Sequence, residues 1–217
     1  MKTRLHQIIL LCTASAVIFC GCDTGGSCSH GPEEFGEYAK KPVIYLYPEE
    51  TTEVQVKLQL DGELTCTYPV YENGWDVTAQ PDGTLTNHAD GKEYSYLYWE
   101  GKTTTDWDMS KGFVIKGTET AEFLQETLEK MGLTPREYNE FIVYWLPQME
   151  ENPYNLITFQ QEAYTDAAQL EITPEPDSIL RVFMVYQPLE QPVAVKEPEI
   201  TSFERNGFCL LYTSDAA

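Results

Sequence analysis

The sequence predicts an α+β fold, in which antiparallel β-sheets packed as a sandwich carry one inserted α-helical hairpin. Two observations lead to this prediction. Short segments that alternate apolar and polar side chains recur between turn signals over residues 42–116 and again over 156–186. Between these two regions the pattern changes, and apolar side chains recur every three or four residues, as on one face of a helix.

The first half of the chain is typical of a series of short strands. The run from Lys41 to Pro48 is aromatic and β-branched and is bounded by prolines. Apolar and polar residues alternate over 54–60 and 64–68, on either side of Asp61-Gly62, which predicts a β-hairpin with a type I′ turn. Further strands are predicted at 75–79, 84–86, 94–99 and 112–116, separated by turn signals such as Asn73-Gly74 and Asp90-Gly91.

The helical hairpin is predicted from apolar spacing and from end signals. The first helix ends at Gly132, because glycine readily adopts the left-handed conformation that closes a helix. Residues 134–137, Thr-Pro-Arg-Glu, form a capping box with proline at the first helical position. The second helix is predicted to end near Leu146, because Pro147 interferes with its continuation. Strands then resume at 156–160, 169–172 and 180–186.

The N-terminus has the features of a bacterial lipoprotein signal. Two basic residues precede an apolar run over 8–19, which at about a dozen residues suits a signal peptide and is too short to span a bilayer. Gly21 fits the position before a cleavage site, and Cys22 fits the cysteine that takes lipid and becomes the new N-terminus. An ordinary secretory signal and an uncleaved anchor are the alternatives.

The domain organisation follows from this signal. We predict a lipoprotein signal peptide over 1–21, a lipidated flexible tether over 22–41 and a single extracytoplasmic domain over 42–208. The protein would be anchored to the bacterial cell membrane by lipid on Cys22, since two acyl chains suffice for stable attachment.

The last nine residues, 209–217, do not read like the end of a domain. They resemble the translation of a sequencing-library adapter, so we expect this tail to be artefactual and the natural chain to continue beyond Phe208. The alternative is a genuine strand, because Cys-Leu-Leu-Tyr-Thr is an apolar run. On the first interpretation Cys209 has no functional meaning.

The charge of the chain excludes several classes of partner. The sequence has 14 Lys+Arg against 35 Asp+Glu, and removal of residues 1–21 leaves a net charge of −23. Such an acidic surface repels the phosphate backbone of nucleic acids and also anionic membrane surfaces. We therefore expect no nucleic-acid partner, and attachment to the membrane through the lipid alone.

Few residues offer nucleophilic or metal chemistry. His88, in a predicted turn, is the one histidine of the predicted domain, so a Ser–His or Cys–His pair is not expected. Once the signal, the lipid site and the tail are set aside, Cys28 and Cys66 remain, and the sequence leaves open whether they pair. Zinc-type spacing and a glycine-rich phosphate loop are absent from the sequence, and we predict no cofactor.

Carboxylates are the remaining catalytic candidates. Glu100 directly follows a dense aromatic strand, where partial burial would raise the pKa of a carboxyl group, as a general acid requires. Asp106 or Asp108 would supply the second carboxylate of a glycosidase-like pair. The alternative is that Glu100 is an ordinary surface or turn residue.

A calcium loop is a second candidate. Asp106, Asp108 and Ser110 alternate as the oxygen ligands of such a loop do. However, Gly112 comes one position late for an EF-hand, and Gly117 stands where the closing glutamate would be. A looser calcium loop and a plain polar turn both fit this spacing.

Aromatic residues near Glu100 are candidates for sugar binding. Exposed aromatic rings with nearby acids and amides bind sugars by stacking and hydrogen bonding. Within the predicted strand, Tyr94, Tyr96 and Tyr98 share one face and Trp99 lies on the other, so at least one face belongs to the core. The ligand-binding candidates are Tyr98, Trp99 and Trp107.

Three segments carry a resemblance to a known family: residues 41–48 (KPVIYLYP), 96–101 (YLYWEG) and 141–147 (FIVYWLP). On these segments, residues 41–208 resemble a family of uncharacterised secreted bacterial lipoproteins. The resemblance implies secretion and lipid anchoring, and it implies a chain that continues past Phe208. It brings no activity with it and therefore assigns no functional residue.

The sequence as a whole favours a lipid-anchored binding module for a cell-envelope glycan or a protein partner. A carboxylate-dependent glycan hydrolase is one alternative, and a structural envelope spacer is the other.

Overall fold

Two β-sheets and a helical hairpin make up the fold in the computed structural model, which describes residues 38–103, 107–161, 165 and 168–216. The strands are β1 (Tyr38–Tyr47), β2 (Thr52–Leu60), β3 (Gly62–Tyr68), β4 (Trp75–Ala79), β5 (Leu85–Asn87), β6 (Glu93–Tyr94), β7 (Leu97–Thr103), β8 (Phe113–Lys116), β9 (Tyr154–Phe159), β10 (Ala168–Thr173), β11 (Ser178–Leu189) and β12 (Cys209–Ala216). The helices are α1 (Thr120–Met131) and α2 (Pro135–Met149).

The strands form one large and one small sheet. The large sheet has seven strands in the order β3-β7-β1-β12-β11-β9-β8, and the small sheet has five in the order β10-β2-β4-β5-β6. Among the described strands, neighbours run antiparallel except β11 and β12, which are parallel. The predicted fold class is therefore confirmed: the fold is α+β, mainly antiparallel, with one helical hairpin inserted between β8 and β9.

The central strands of the seven-stranded sheet are buried on both faces. In β1, Ile44 and Leu46 belong to the core shared with the five-stranded sheet, whereas Val43 and Tyr45 belong to the core shared with the helices. In β12, Leu210 and Leu211 are divided between the two cores in the same way. The fold is thus a sandwich with a helical layer on its outer side, and the two cores lie on opposite faces of one sheet.

The end of α1 and the start of α2 lie where the sequence signals predict them. Gly132 has a φ of 104°, the left-handed conformation, and Leu133 N donates back to Leu128 O at 3.0 Å. Contrary to the prediction, α2 continues past Pro147 to Met149. Proline removes one backbone donor, but Trp145 and Met149 are fully buried and hold the last turn against the core. Neither described helix is long and apolar enough to cross a membrane.

The predicted hairpin at Asp61-Gly62 is wrong. The strand before it, β2, pairs with β4 and β10, whereas β3 after it pairs with β7 in the other sheet. The chain therefore crosses from one sheet to the other at this point. A crossing and a hairpin need the same turn residues and the same alternation, because in both cases the apolar faces point to one shared core.

The predicted strand over 94–99 is also divided between the sheets. Tyr94 lies in β6 of the five-stranded sheet, and the chain crosses at Ser95–Tyr96 before β7 begins at Leu97. Tyr94 consequently packs against the core between the sheets, while Tyr96 packs against the helical core.

The folded unit extends beyond the predicted limits of 42 and 208. Strand β1 begins at Tyr38, and residues 209–216 form β12, which lies between β1 and β11 with Leu210 and Leu211 fully buried. In the fold these residues are a central strand and not an appendage. Their resemblance to a library adapter concerns their origin and stays a prediction.

A buried ion pair connects α2 to the segment before β12. Arg205 binds Glu137 with both guanidinium nitrogens, at 2.9 and 2.6 Å, and also donates to Gly132 O at 3.0 Å. The Glu137 side chain is almost fully buried and accepts Thr134 N at 2.7 Å, as the capping box predicts. Burial acts to raise the pKa of Glu137, but the hydrogen bonds from Arg205 and Thr134 outweigh it and hold that pKa below its ordinary value.

Replacing Arg205 by glutamine is expected to lower the free energy of unfolding by about 3 kcal/mol, because it leaves the Glu137 carboxylate buried without a cation. Chemical denaturation measures this loss. The matched control is Glu119→Gln, which breaks the exposed pair between Lys116 and Glu119 and should cost less than about 1 kcal/mol. Similar losses in the two variants would contradict a stabilising role for the buried pair.

The contribution of Glu137 should also depend on pH. Because its pKa is lowered in the folded state, the stabilisation is complete above the ordinary carboxyl pKa of 4.5 and is lost as the pH falls through the lower folded value. The difference in unfolding free energy between the wild type and Glu137→Gln should therefore shrink below about pH 4.5. A difference that stays constant at acidic pH would show that Glu137 does not gain its charge-dependent contacts on folding.

Candidate functional site

The helical layer leaves one end of the seven-stranded sheet uncovered. The helices pack over buried residues of β1, β12, β11 and β9, whereas β7 contributes only the half-buried Tyr98 to this core. On β3, at the sheet edge, the Tyr68 side chain is 60% exposed. On the facing helix α2, Val143 is 69% exposed. The face of β3 and β7 beside α2 is therefore open to solvent.

Three tyrosines, Tyr68, Tyr96 and Tyr98, line this open face, and we call them the tyrosine shelf. Tyr68 and Tyr98 are directly opposite each other in the pairing of β3 and β7, so their side chains lie on the same face of the sheet. Tyr96 packs edge-on against Tyr45, with ring centroids 5.3 Å apart, and Tyr68 meets Tyr94 in the same manner at 5.1 Å. These contacts hold the rings in fixed orientations.

Carboxylates flank the shelf on both sides. Tyr98 hydrogen-bonds to Glu100, two residues along the same strand, and Tyr45 OH donates to Glu140 Oε2 of α2 at 2.7 Å. Burial, and after it the hydrogen bonds to these glutamates, holds the pKa of both Tyr98 and Tyr45 far above the ordinary tyrosine value. The hydroxyls thus stay protonated at neutral pH and keep one side of each carboxylate occupied.

Lys41 closes the inner side of the shelf. It has a positive φ of 48° at the irregularity that interrupts the pairing of β1, and its ammonium group donates to the backbone carbonyl of Glu140. The same ammonium lies over the ring of Tyr144, 5.1 Å from the centroid. At this end, polar contacts of Lys41 therefore add to the apolar packing between β1 and α2.

Of the three predicted ligand-binding aromatics, only Tyr98 lies on this surface. Trp99 is fully buried between the sheets, where its Nε1 donates to Tyr212 OH at 3.1 Å. Trp107 is half-buried against Phe183, with ring centroids 4.6 Å apart. The prediction that Trp99 stacks on a ligand is wrong, because the strand alternation that exposes Tyr98 turns Trp99 into the core.

The strand order does not bring Glu100 and Asp108 together. Gln160 holds Asp108 at the end of β9, accepting Asp108 N at 2.8 Å and donating to Asp108 O at 2.9 Å. Glu100 lies in β7, four strands away in the sheet. At about 4.8 Å between strands this amounts to about 19 Å, more than the roughly 5–10 Å of a glycosidase pair. Asp106, the other proposed partner, lies outside the described residues.

The described part of the proposed calcium loop is a closed polar turn. Asp108 Oδ1 accepts Ser110 N at 2.9 Å, and hydrogen bonding from Ser110 holds the pKa of Asp108 below its ordinary value. Asp108 and Ser110 are both exposed. Within the described ranges, no three His, Cys, Asp or Glu side chains gather as a metal site would require. The third proposed ligand, Asp106, is not among the described residues.

Two further residues from the sequence analysis are His88, beside the five-stranded sheet, and Cys66, in the seven-stranded sheet. His88 Nε2 lies 2.9 Å from both Glu53 Oε2 and Thr78 Oγ1, on the surface of the five-stranded sheet. Both contacts use one ring nitrogen, whereas a relay through imidazole needs both. Cys66 is half-buried in β3 and lies opposite Glu100 in the pairing with β7. Cys28 is outside the described residues, so their pairing stays a prediction.

Sequence reasoning missed the residues that complete the shelf. In the sequence, Tyr68 is one more residue of an alternating run that predicted a hairpin. Its exposure arises because β3 is the edge strand of the seven-stranded sheet, whereas β2 belongs to the five-stranded sheet. Glu140 carried no signal of its own, because an acidic residue on a predicted amphipathic helix usually belongs to its solvated face. As an arrangement, the shelf offers aromatic faces for stacking and carboxylate oxygens that accept hydrogen bonds.

Comparison with known proteins gives one informative similarity. A protein of Butyrivibrio fibrisolvens described as "Uncharacterized protein in bglA 3'region" is 47% identical over 64 residues, which cover 28% of this chain and 65% of the relative. The chain thus spans just under two thirds of the length of that relative. No family model matches the chain, and no solved structure matches it.

Proposed function

We propose that the protein is a lipid-anchored extracytoplasmic module that binds a neutral cell-envelope glycan on the tyrosine shelf. The observation that carries the proposal is the exposed ring of Tyr68, held beside two half-buried tyrosines and next to carboxylates. An aromatic side chain that is 60% exposed gains little from its position in the fold alone.

The chemistry of the shelf suits a sugar better than a protein surface. A sugar ring has an apolar face that stacks on tyrosine and an equatorial rim of hydroxyls that donate hydrogen bonds. Glu100 and Glu140 lie at the two flanks, and a carboxylate has more acceptor positions than one tyrosine contact uses. A carboxylate accepts such hydrogen bonds more strongly than a neutral group does.

The charge of the chain supports a neutral ligand. The mature chain would carry a net charge of −23, and the shelf itself has carboxylates at both flanks. An acidic glycan would meet repulsion both over a distance and at the site. Neutral or N-acetylated sugars avoid this cost and keep the hydrogen bonds to the two glutamates.

Lipid anchoring is the second half of the proposal, and the sequence supports it. The basic start, the short apolar run and Gly21-Cys22 fit a lipoprotein signal, and a diacylated Cys22 would hold the domain at the outer surface of the cell membrane. The acidic domain would then stay off the anionic bilayer and face the surrounding envelope.

Tyr68→Ala is expected to weaken glycan binding at least about tenfold, because it removes the most exposed stacking surface. Calorimetric titration with hexasaccharides of glucose, xylose and N-acetylglucosamine, all β-1,4-linked, measures this effect. The matched control is Tyr154→Ala in β9, at the other end of the sheet, which should leave the affinity unchanged.

The alternatives give different outcomes in the same experiment. Equal affinity in the Tyr68 and Tyr154 variants, or no binding of any of the three sugars by the wild type, would contradict the proposed site. Shortening of the hexasaccharides that disappears in Glu100→Gln, with the melting temperature unchanged, would instead support the hydrolase.

Cys22→Ala is expected to release the protein from the membrane fraction, because it removes the residue that takes the lipid. Fractionation of cells that express the wild type or the variant measures this. The control is Cys20→Ala, which removes the neighbouring cysteine of the signal and should leave membrane association intact. A Cys22 variant that stays in the membrane fraction as fully as the wild type would contradict the lipoprotein assignment.

A further inference from the structure

The aromatic surface of the tyrosine shelf continues onto the five-stranded sheet. Tyr68 lies on β3, an edge strand of the large sheet, and its ring meets the ring of Tyr94 on β6, an edge strand of the small sheet. The two ring centroids are 5.1 Å apart, and the ring planes are inclined at 73° to each other. Tyr94 therefore adds a further ring to the aromatic surface at the corner where the two sheets meet.

Packing on one side and a hydrogen bond at its tip hold Tyr94 in place. The residue is half-buried against the core between the sheets. Its hydroxyl donates to Oδ2 of Asp90, an exposed residue, at 2.6 Å. This hydrogen bond raises the pKa of Tyr94 to about 12, so the hydroxyl stays protonated at neutral pH. A side chain fixed in this way loses little conformational entropy when a ligand stacks on it.

The carboxylate of Asp90 is held as firmly as the ring. Its Oδ1 accepts Lys92 N at 3.0 Å and Nδ2 of the buried Asn87 at 3.1 Å. Two backbone bonds close the same turn, from Asn87 N to Lys92 O at 2.9 Å and from Gly91 N to Asn87 O at 2.8 Å. The hydrogen bonds from Tyr94 and Lys92 hold the pKa of Asp90 below its ordinary value, so the group is ionised at neutral pH. A carboxylate has about four acceptor positions, more than these contacts use.

The combination of a ring and a carboxylate thus recurs around Tyr68. Tyr94 hydrogen-bonds to Asp90, and Tyr98 hydrogen-bonds to Glu100. Tyr68 is the common neighbour of both tyrosines: Tyr94 lies 5.1 Å away between centroids, and the Cβ atom of Tyr98, directly opposite on β7, lies about 5 Å from that of Tyr68. These spacings are close to the length of one sugar in a β-1,4-linked chain. A repeated binding unit at this spacing suits successive sugars of one chain.

The inclination of the rings indicates the shape of such a chain. In β-1,4-linked chains of glucose or N-acetylglucosamine, hydrogen bonds between neighbouring sugars, partly through the hydroxymethyl group, favour a flat ribbon. The faces of a flat ribbon are nearly parallel, so successive sugars cannot both stack on Tyr68 and Tyr94, whose planes differ by 73°. A β-1,4-linked chain of xylose lacks the hydroxymethyl group and turns between successive sugars, which matches inclined rings.

We propose that the site binds at least three consecutive sugars of a twisted neutral chain of the xylan type, along the path Tyr98, Tyr68 and Tyr94, with Tyr94 and Asp90 as the outermost subsite. This inference rests on the proposed function, and it adds the class of glycan, the minimum length and a specificity-determining residue.

The test measures the affinity of the full lipoprotein for β-1,4-linked di-, tri- and hexasaccharides of xylose and of glucose. Calorimetric titration is carried out in micelles of a detergent without a sugar head group. The xylose trisaccharide is expected to bind about tenfold more tightly than the disaccharide, because the third sugar gains a third ring. The xylose hexasaccharide should bind about tenfold more tightly than the glucose hexasaccharide.

Two variants assign these differences to Tyr94. Tyr94→Leu keeps an apolar side chain against the core but removes the flat ring, so it should lose the tenfold gain from the third sugar. Tyr94→Phe is the matched control, because it keeps the ring and should keep this gain. Melting temperatures near that of the wild type would show that both variants are folded.

The outcomes separate this inference from the proposed function. Equal affinity of the wild type for the di- and trisaccharides of xylose, or for the two hexasaccharides, would overturn the inference. A gain from the third sugar that survives in Tyr94→Leu would overturn it as well. Each of these results leaves the proposed function standing as long as Tyr68→Ala weakens binding. Failure of the wild type to bind any of the sugars would contradict the proposed function, and this inference with it.

Discussion

Burial of the central strands of the seven-stranded sheet on both faces is the constraint on which the rest of the structure depends. Strands such as β1 and β12 present apolar side chains in both directions, so each face must be covered. The five-stranded sheet covers one face and the helical hairpin covers the other. At about 1.5–3 kcal/mol for each large apolar side chain removed from water, these two coverings outweigh any single polar contact in the molecule.

The proposed site arises where this covering is incomplete. Two helices are narrower than seven strands, so β3 and β7 extend beyond them, and the open face carries the tyrosine shelf. The exposed ring of Tyr68 there lies beside rigid buried strands, which is where binding groups are held in fixed geometry.

The ion pair between Glu137 and Arg205 has a different role from the apolar cores. The net stabilisation from a buried pair is small, because desolvation offsets most of the attraction between the charges. Its effect is on geometry: Arg205 joins the start of α2 and the end of α1 to the segment that leads into β12. Residues Thr201–Phe203 of that segment lie next to Leu180, so the pair also fixes their position relative to β11.

The sequence was most informative where the signal is local. The capping box at Thr134–Glu137 and the closing Gly132 lie where the structure has them, because both depend on residues a few positions apart. The pairing of β2 and β3 was wrong because the choice between a hairpin and a crossing depends on distant partners, β4 and β7. The alternation of a strand predicts that Tyr98 and Trp99 lie on opposite faces of the sheet. Which of the two faces is open to solvent depends on the order of the strands, which the alternation does not give.

The central claim is that the helical hairpin leaves the tyrosine shelf open while it buries the tyrosines beneath α2. Nitration of tyrosines by tetranitromethane, followed by peptide mass spectrometry over time, tests this claim most directly. The account predicts that Tyr68 is nitrated first, that Tyr96 and Tyr98 follow slowly, and that Tyr45, buried and with a raised pKa, stays unmodified. Nitration of Tyr45 as early as Tyr68 would contradict the account.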